Sequence, residues 1–234
     1  MVKWDIPLKP AELAENRLVE AILDGNFPIN LSLPPERELA EMLGVTRPTL
    51  REALQRLSRD GWLEIHHGKP TRVRDYWREG NLTILGQIAR YQKIVYPDFV
   101  VNLLQIRYLM APAYTRQAFE NSLPEVKQFL QTLQALPDET NVFVEKDLEL
   151  HLLFTKLSGN PIFTLIFNGF GDLYLIMGKL YFTNPEARLS SQNFYKNLLE
   201  AANQNNPSLA EEVTRQVMSD SIHYWELAEK NTAQ

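Results

Sequence analysis

Arg47, Thr49 and Arg51 lie within five residues of one another at the head of a predicted helix, just after the turn at Gly44-Val45. An arginine projecting from a helix N-terminus can donate two hydrogen bonds to guanine O6 and N7 in a major groove, worth roughly 1–3 kcal/mol of discrimination. Further on, His66-His67-Gly68-Lys69 forms a basic, side-chain-poor turn suited to a minor groove or to phosphates. Other chemistries are poorly supplied. The 234 residues include no cysteine and four histidines, which excludes disulfides, thiolate metal sites and cysteine nucleophiles. His66 and His67 are adjacent on a predicted strand and point to opposite faces, a poor metal pair. No nucleophile-elbow serine is present, and in the second half only His151 has a nearby carboxylate, so an enzyme finds little support.

The elements that must position the arginines are legible from punctuation. Apolar residues at Leu13, Ala14, Leu18, Ala21 and Ile22 give a helix over Pro10–Leu23, stopped at Gly25. The Pro- and Gly-marked stretch 25–35 reads as loop. Pro35 starts a short helix, Glu36–Leu43, whose Glu36 and Glu38 suit the positive end of its dipole. Thr46 can cap a second helix running to about Asp60, with Leu50, Ala53, Leu54 and Leu57 buried and Arg47, Arg51 and Thr49 outward. Two short helices joined by a tight Gly turn are the layout of a helix-turn-helix. Residues 62–74 then read as a two-stranded hairpin turning at Gly68, the wing of a winged helix.

The net charge of −5 is unevenly spread. Residues 1–78 hold twelve basic and twelve acidic side chains, and 79–234 hold twelve and seventeen. Within 37–78 there are nine basic against six acidic, a surplus that fits a nucleic-acid face or merely a solvated one. The N-terminus lacks an apolar signal core, so a cytoplasmic protein is expected.

From Asn81 onward the pattern is helical, with helices expected over 83–90, 98–120, 124–135, 142–158, 161–182, 185–204 and 207–230. Residues 75–82 are expected as the junction, dividing a DNA-binding domain, 1–78, from a helical domain, 79–234. The fold class is therefore mainly α, a winged helix-turn-helix followed by an all-α bundle. The stretch 161–182 is nearly apolar all round and is expected as one helix through the bundle centre. Asp172 and Lys179 within it argue against a membrane span. Gly169 and Gly171 require either close packing or room for a ligand.

Leu33-Pro-Pro-Glu-Arg-Glu-Leu-Ala, Gly44-Val-Thr-Arg-Pro-Thr-Leu-Arg-Glu-Ala-Leu and Leu57-Ser-Arg-Asp-Gly-Trp-Leu together resemble the winged-helix domain of the GntR family of transcription regulators. Ile65-His-His-Gly-Lys-Pro-Thr, Ser158-Gly-Asn-Pro-Ile and Leu180-Tyr-Phe-Thr-Asn-Pro-Glu-Ala-Arg resemble its FadR branch. The resemblance implies operator contacts at Arg37, Arg47, Arg51 and His67, beside Thr46, Thr49, Gly68 and Lys69. Pro48 stands where the best-known FadR form has threonine, and it supplies no hydroxyl.

In most relatives the helical domain holds a metal on an Asp-x-x-x-His pair plus two further histidines. Asp147 and His151 match that pair, but the other positions align with Tyr195 and Ser221, so no metal is expected. The FadR branch instead takes a long-chain acyl-CoA, and its effector pocket aligns with Arg107, Tyr181, Arg215, Ser221 and Trp225. The arginines would offer donors to phosphates or pantetheine, Tyr181 and Ser221 would orient the thioester, and Trp225 would form an apolar wall. The function so implied is a homodimeric regulator of fatty-acid metabolism genes, repressing degradation and possibly activating synthesis. It would bind a near-palindromic DNA operator and leave it when acyl-CoA re-angles the winged helices through residues 75–90. The alternative is a metal-dependent regulator of the same family sensing a small carboxylate.

Overall fold

The computed structural model describes residues 9–90 and 99–232, with side chains described as far as Trp225. The chain divides into two compact units, Met1–Ile94 and Val95–Gln234.

In the first unit, α1 (Pro10–Leu23), α2 (Glu36–Leu43) and α3 (Arg47–Asp60) have the bounds that their prolines, glycines and Thr46 predict. Gly44 ends α2 in the left-handed conformation, φ 65°, which a residue without Cβ adopts freely. Arg17 Nη1 closes the same helix end by donating to Leu43 O at 2.6 Å. Leu50, Ala53, Leu54 and Leu57 of α3 are buried, as are Ala14 and Leu18 of α1, which packs against it. The wing pairs β1 (Leu63–Glu64) with β2 (Arg72–Val73) antiparallel, Leu63 opposite Val73.

Three features depart from expectation. The loop before α2 adds a third edge to the wing: Ser32 bridges Arg72, Val73 N donates to Leu31 O, and Leu33 N donates to Thr71 O. Partners forty residues apart leave no local mark, so composition alone reads this stretch as loop. Residues 75–82 are not a bare linker. They contain α4 (Tyr76–Glu79), and the buried Tyr76 ring lies 4.7 Å from that of Trp62. Third, α5 (Thr83–Arg90) belongs to this first unit. Its Gln87 accepts from Trp62 Nε1 and donates to Asp60 Oδ2 at 3.3 Å, with Ile84 and Ile88 buried. The compact unit thus extends past the expected division at residue 78.

The second unit is helical throughout its described residues. Helix α6 (Phe99–Thr132) packs along α11 (Pro207–Thr232), α7 (Thr140–Leu157) and α10 (Pro185–Asn203). The expected break between two helices survives as a kink at Ser122, two residues before Pro124. Asp98, the expected start, lies outside the described residues. Phe119, Phe143, Phe154, Phe182, Tyr195 and Leu198 fill the core.

The expected single helix over 161–182 is two helices, α8 (Pro161–Gly169) and α9 (Gly171–Thr183), bent by 66° at Phe170. A Cβ on Gly171 would meet nothing within 4 Å, so tight packing is not its reason there. Two glycines, each costing a helix about 1 kcal/mol, bracket the place where it breaks. Nor does the pair run through the centre, since Ile162 and Leu165 are more than half exposed. No single helix among the described residues is long and apolar enough to cross a membrane.

Candidate functional site

On the first unit the outward side of α3 carries the expected arginines. Thr46 Oγ1 caps the helix by accepting from Thr49 N at 3.4 Å and lies 2.8 Å from Thr49 Oγ1. Both threonines thus shape the helix end. Arg37 and Arg47 are exposed and make no hydrogen bond or ion pair with any described residue. Arg51 is exposed too, but its Nε donates to Glu36 Oε2 at 2.8 Å. The wing tip, His66 to Lys69, is exposed, with Gly68 at φ 72°. Glu64 stiffens the wing by pairing with Arg72 at 2.6 Å and with His66 Nε2 at 2.8 Å. Hydrogen bonds from Arg72 and then His66 hold the Glu64 carboxyl below its ordinary range. His66 is thereby committed to the wing's own frame and His67 is left outward.

In the second unit a cavity of about 90 Å³ is lined by residues of α6, α7, α8, α9 and α11. It brings together Arg107, Tyr181, Ser221 and Trp225, four of the five expected effector residues. Arg215 is not among its lining. That side chain lies over the Tyr108 ring and donates to Glu211 Oε1 at 2.9 Å. Tyr181 and Ser221 hydroxyls are 3.3 Å apart, and Ser221 Oγ also donates to Val217 O at 2.8 Å. Burial pushes the Tyr181 hydroxyl's pKa up, so it stays protonated.

The polar end of this cavity is a closed cluster. Arg107 Nη2 lies 3.0 Å from His151 Nε2, 3.2 Å from Tyr174 OH and 3.7 Å from Asp147 Oδ2. Tyr195 OH donates to Asp147 Oδ1 at 2.9 Å, and Tyr174 OH donates to Oδ2. Tyr114 OH meets His151 Nδ1 at 2.8 Å. His151 is fully buried, and burial first of all, with Arg107 adding, outweighs Asp147 and lowers its pKa to about 4. Arg107 Nε is buried without a partner among the described residues. Tyr114 and Tyr174 were not anticipated. A faint signal exists, because Tyr114 lies two turns after Arg107 on α6 and Tyr174 two turns before Tyr181 on α9.

This donor set does not fit a metal ion. The guanidinium faces the imidazole nitrogen a metal would need, and tyrosine protons already occupy both oxygens of Asp147. No group of three or more metal-ligating side chains exists among the described residues. The cation of this site is Arg107 itself.

Comparison with known proteins gives the class. The family model for bacterial regulatory proteins, gntR family, matches residues 10–73, and that for the FadR C-terminal domain matches residues 74–234. The chain is a winged-helix transcription regulator of the GntR family, not an enzyme. Within that family it belongs to the group carrying the FadR C-terminal domain. A protein of Escherichia fergusonii named fatty acid metabolism regulator protein is 40% identical over 222 residues, covering 95% of this chain and 93% of that one. One of Shigella boydii serotype 18 with the same name is 39% identical over the same shares. Among solved structures, Lar, which controls expression of the Listeria monocytogenes agr system, aligns with a TM-score of 0.65 at 18% identity. That match covers 95% of this chain and 99% of Lar, and it speaks for the fold alone.

Proposed function

We propose that this chain regulates fatty-acid metabolism genes in the cytoplasm as a homodimer on a near-palindromic operator, and that long-chain acyl-CoA releases it. Arg37, Arg47 and Arg51 with Thr46 and Thr49 read and grip DNA from α2 and α3, and His67, Gly68 and Lys69 reach it from the wing. Paired half-sites follow from two-fold symmetry. The name of the relatives at about 40% identity supports the metabolic role.

The observation that carries the effector reading is the shape and chemistry of the cavity. One end presents Arg107, its buried Nε without a partner among the described residues, together with the Tyr181 and Ser221 hydroxyls, and most of the rest of the lining is apolar, chiefly Leu, Met and Phe. That is the polarity of a thioester head and an acyl tail. Its 90 Å³ is well below the roughly 300–1,000 Å³ of an occupied small-molecule site. A long acyl chain must therefore push helices apart, which supplies the differential affinity that any ligand-driven shift requires. Arg215 stands outside the cavity lining, over the Tyr108 ring, and is assigned to the CoA portion.

The test is fluorescence anisotropy of an operator duplex titrated with palmitoyl-CoA and, separately, with free CoA. Palmitoyl-CoA is expected to release the duplex and CoA to leave it bound. Retention of the duplex at saturating palmitoyl-CoA contradicts the proposal.

A further inference from the structure

Glu36 opens α2 and Arg51 lies on α3. The 2.8 Å bond between Arg51 Nε and Glu36 Oε2 ties the two helices of the helix-turn-helix together on its outer side. Their side chains are 61% and 38% exposed, and an ion pair so open to water contributes little to folding. A carboxylate beside a face meant for a polyanion also weakens binding, so its presence calls for another reason. The dipole of α2 does not single it out, because Glu38 stands in the same first turn.

The geometry offers that reason. Bonding through Nε leaves both terminal nitrogens of Arg51 unengaged with any described residue, while one torsional sweep of a long side chain is halted. A free arginine binds any phosphate it can reach, and phosphate contacts supply affinity without sequence information. Arg37 and Arg47 are free in this sense, and among these three arginines Arg51 is the one held by a carboxylate.

We propose that Glu36 is a specificity-determining positioning residue, which aims Arg51 at base edges and cancels the charge that would otherwise bind phosphate indiscriminately. The inference rests on the reading of α3 as the DNA-contacting helix.

The experiment uses the full chain and two duplexes, one enriched from a random library by the wild-type protein and one with the same bases scrambled. Binding is measured over a range of salt for wild type, Glu36→Gln, Glu36→Ala, Arg51→Ala and the double variant Glu36→Ala/Arg51→Ala. Glu36→Gln unmasks the charge while keeping an acceptor, and Glu36→Ala also removes the tether. Both are expected to bind the scrambled duplex more tightly, with the slope of log affinity against log salt steeper by about one. Glu36→Ala should also lose on the order of ten-fold in preference for the enriched duplex. That loss should vanish when Arg51 is already alanine. Wild-type slope and preference in both Glu36 variants would overturn the proposal. So would a loss in Glu36→Ala that persists undiminished without Arg51, since Glu36 would then act by itself. Failure of the wild-type chain to enrich any sequence would instead defeat the DNA reading beneath it, and that result involves no variant.

Discussion

Arg107 and His151 face each other at 3.0 Å through Nη2 and Nε2. A guanidinium can only donate, so His151 Nε2 accepts, its proton resides on Nδ1, and that N–H donates to Tyr114 OH at 2.8 Å. One contact thus fixes a tautomer, a protonation state and the identity of the site's cation.

The neutral ring has a consequence for acid stability. Unfolded, His151 titrates near 6.5, and burial lowers it to about 4 in the folded chain. Between those values the unfolded state binds a proton that the folded state refuses. The stabilisation is complete above pH 6.5 and is lost progressively as pH falls toward 4, by roughly 3 kcal/mol in all. Denaturant unfolding at pH 7 and pH 4.5 should therefore show a larger loss of stability for wild type than for His151→Gln. Equal losses would place the ring's titration elsewhere.

Arg107 Nη2, 3.0 Å from His151 Nε2, blocks the nitrogen a metal would take, and this predicts how a metal site could be built. The purified wild-type chain should retain no zinc or nickel after dialysis. Arg107→Ala combined with Tyr195→His and Ser221→His restores four ligands with Asp147 and His151, in the nitrogen and oxygen set zinc accepts. Elemental analysis should find about one metal per chain in that variant. One metal per chain in the wild type would instead support the metal-dependent alternative.

Much of this was open to reading in the sequence, and the misses share a cause. Helices α1, α2, α3 and α5 fall where local signals put them, because Pro, Gly and Thr act on the backbone within a few residues. The bridge of Ser32 to Arg72 and the docking of Gln87 on Trp62 depend on partners far along the chain. The bend at Phe170 was hidden because an unbroken apolar run says nothing of direction, although Gly169 and Gly171 marked the spot. Arg107, Tyr181, Ser221 and Trp225 line one cavity. Tyr114 and Tyr174, which close the cluster, are aromatic residues that a core would want equally.

The two units should fail separately. Arg47→Ala removes an exposed cation with no partner among the described residues, so folding should change by less than about 0.5 kcal/mol. Operator binding should be abolished in an anisotropy assay, while palmitoyl-CoA affinity by calorimetry stays at the wild-type value. Equal damage to both would count against the division of labour.

Filling the cavity should lock the regulator on. Met177 lines it. Met177→Trp should bind operator normally but need at least about ten-fold more palmitoyl-CoA for release, since the larger side chain takes up space the tail requires. Unchanged release would place the acyl chain elsewhere.

Native mass spectrometry of the intact protein with its operator duplex, before and after palmitoyl-CoA, tests DNA binding and ligand release together. The expected result is a dimer carrying one duplex, which gives way to a duplex-free dimer carrying ligand. A stable complex holding ligand and duplex together, at undiminished duplex occupancy, would contradict it.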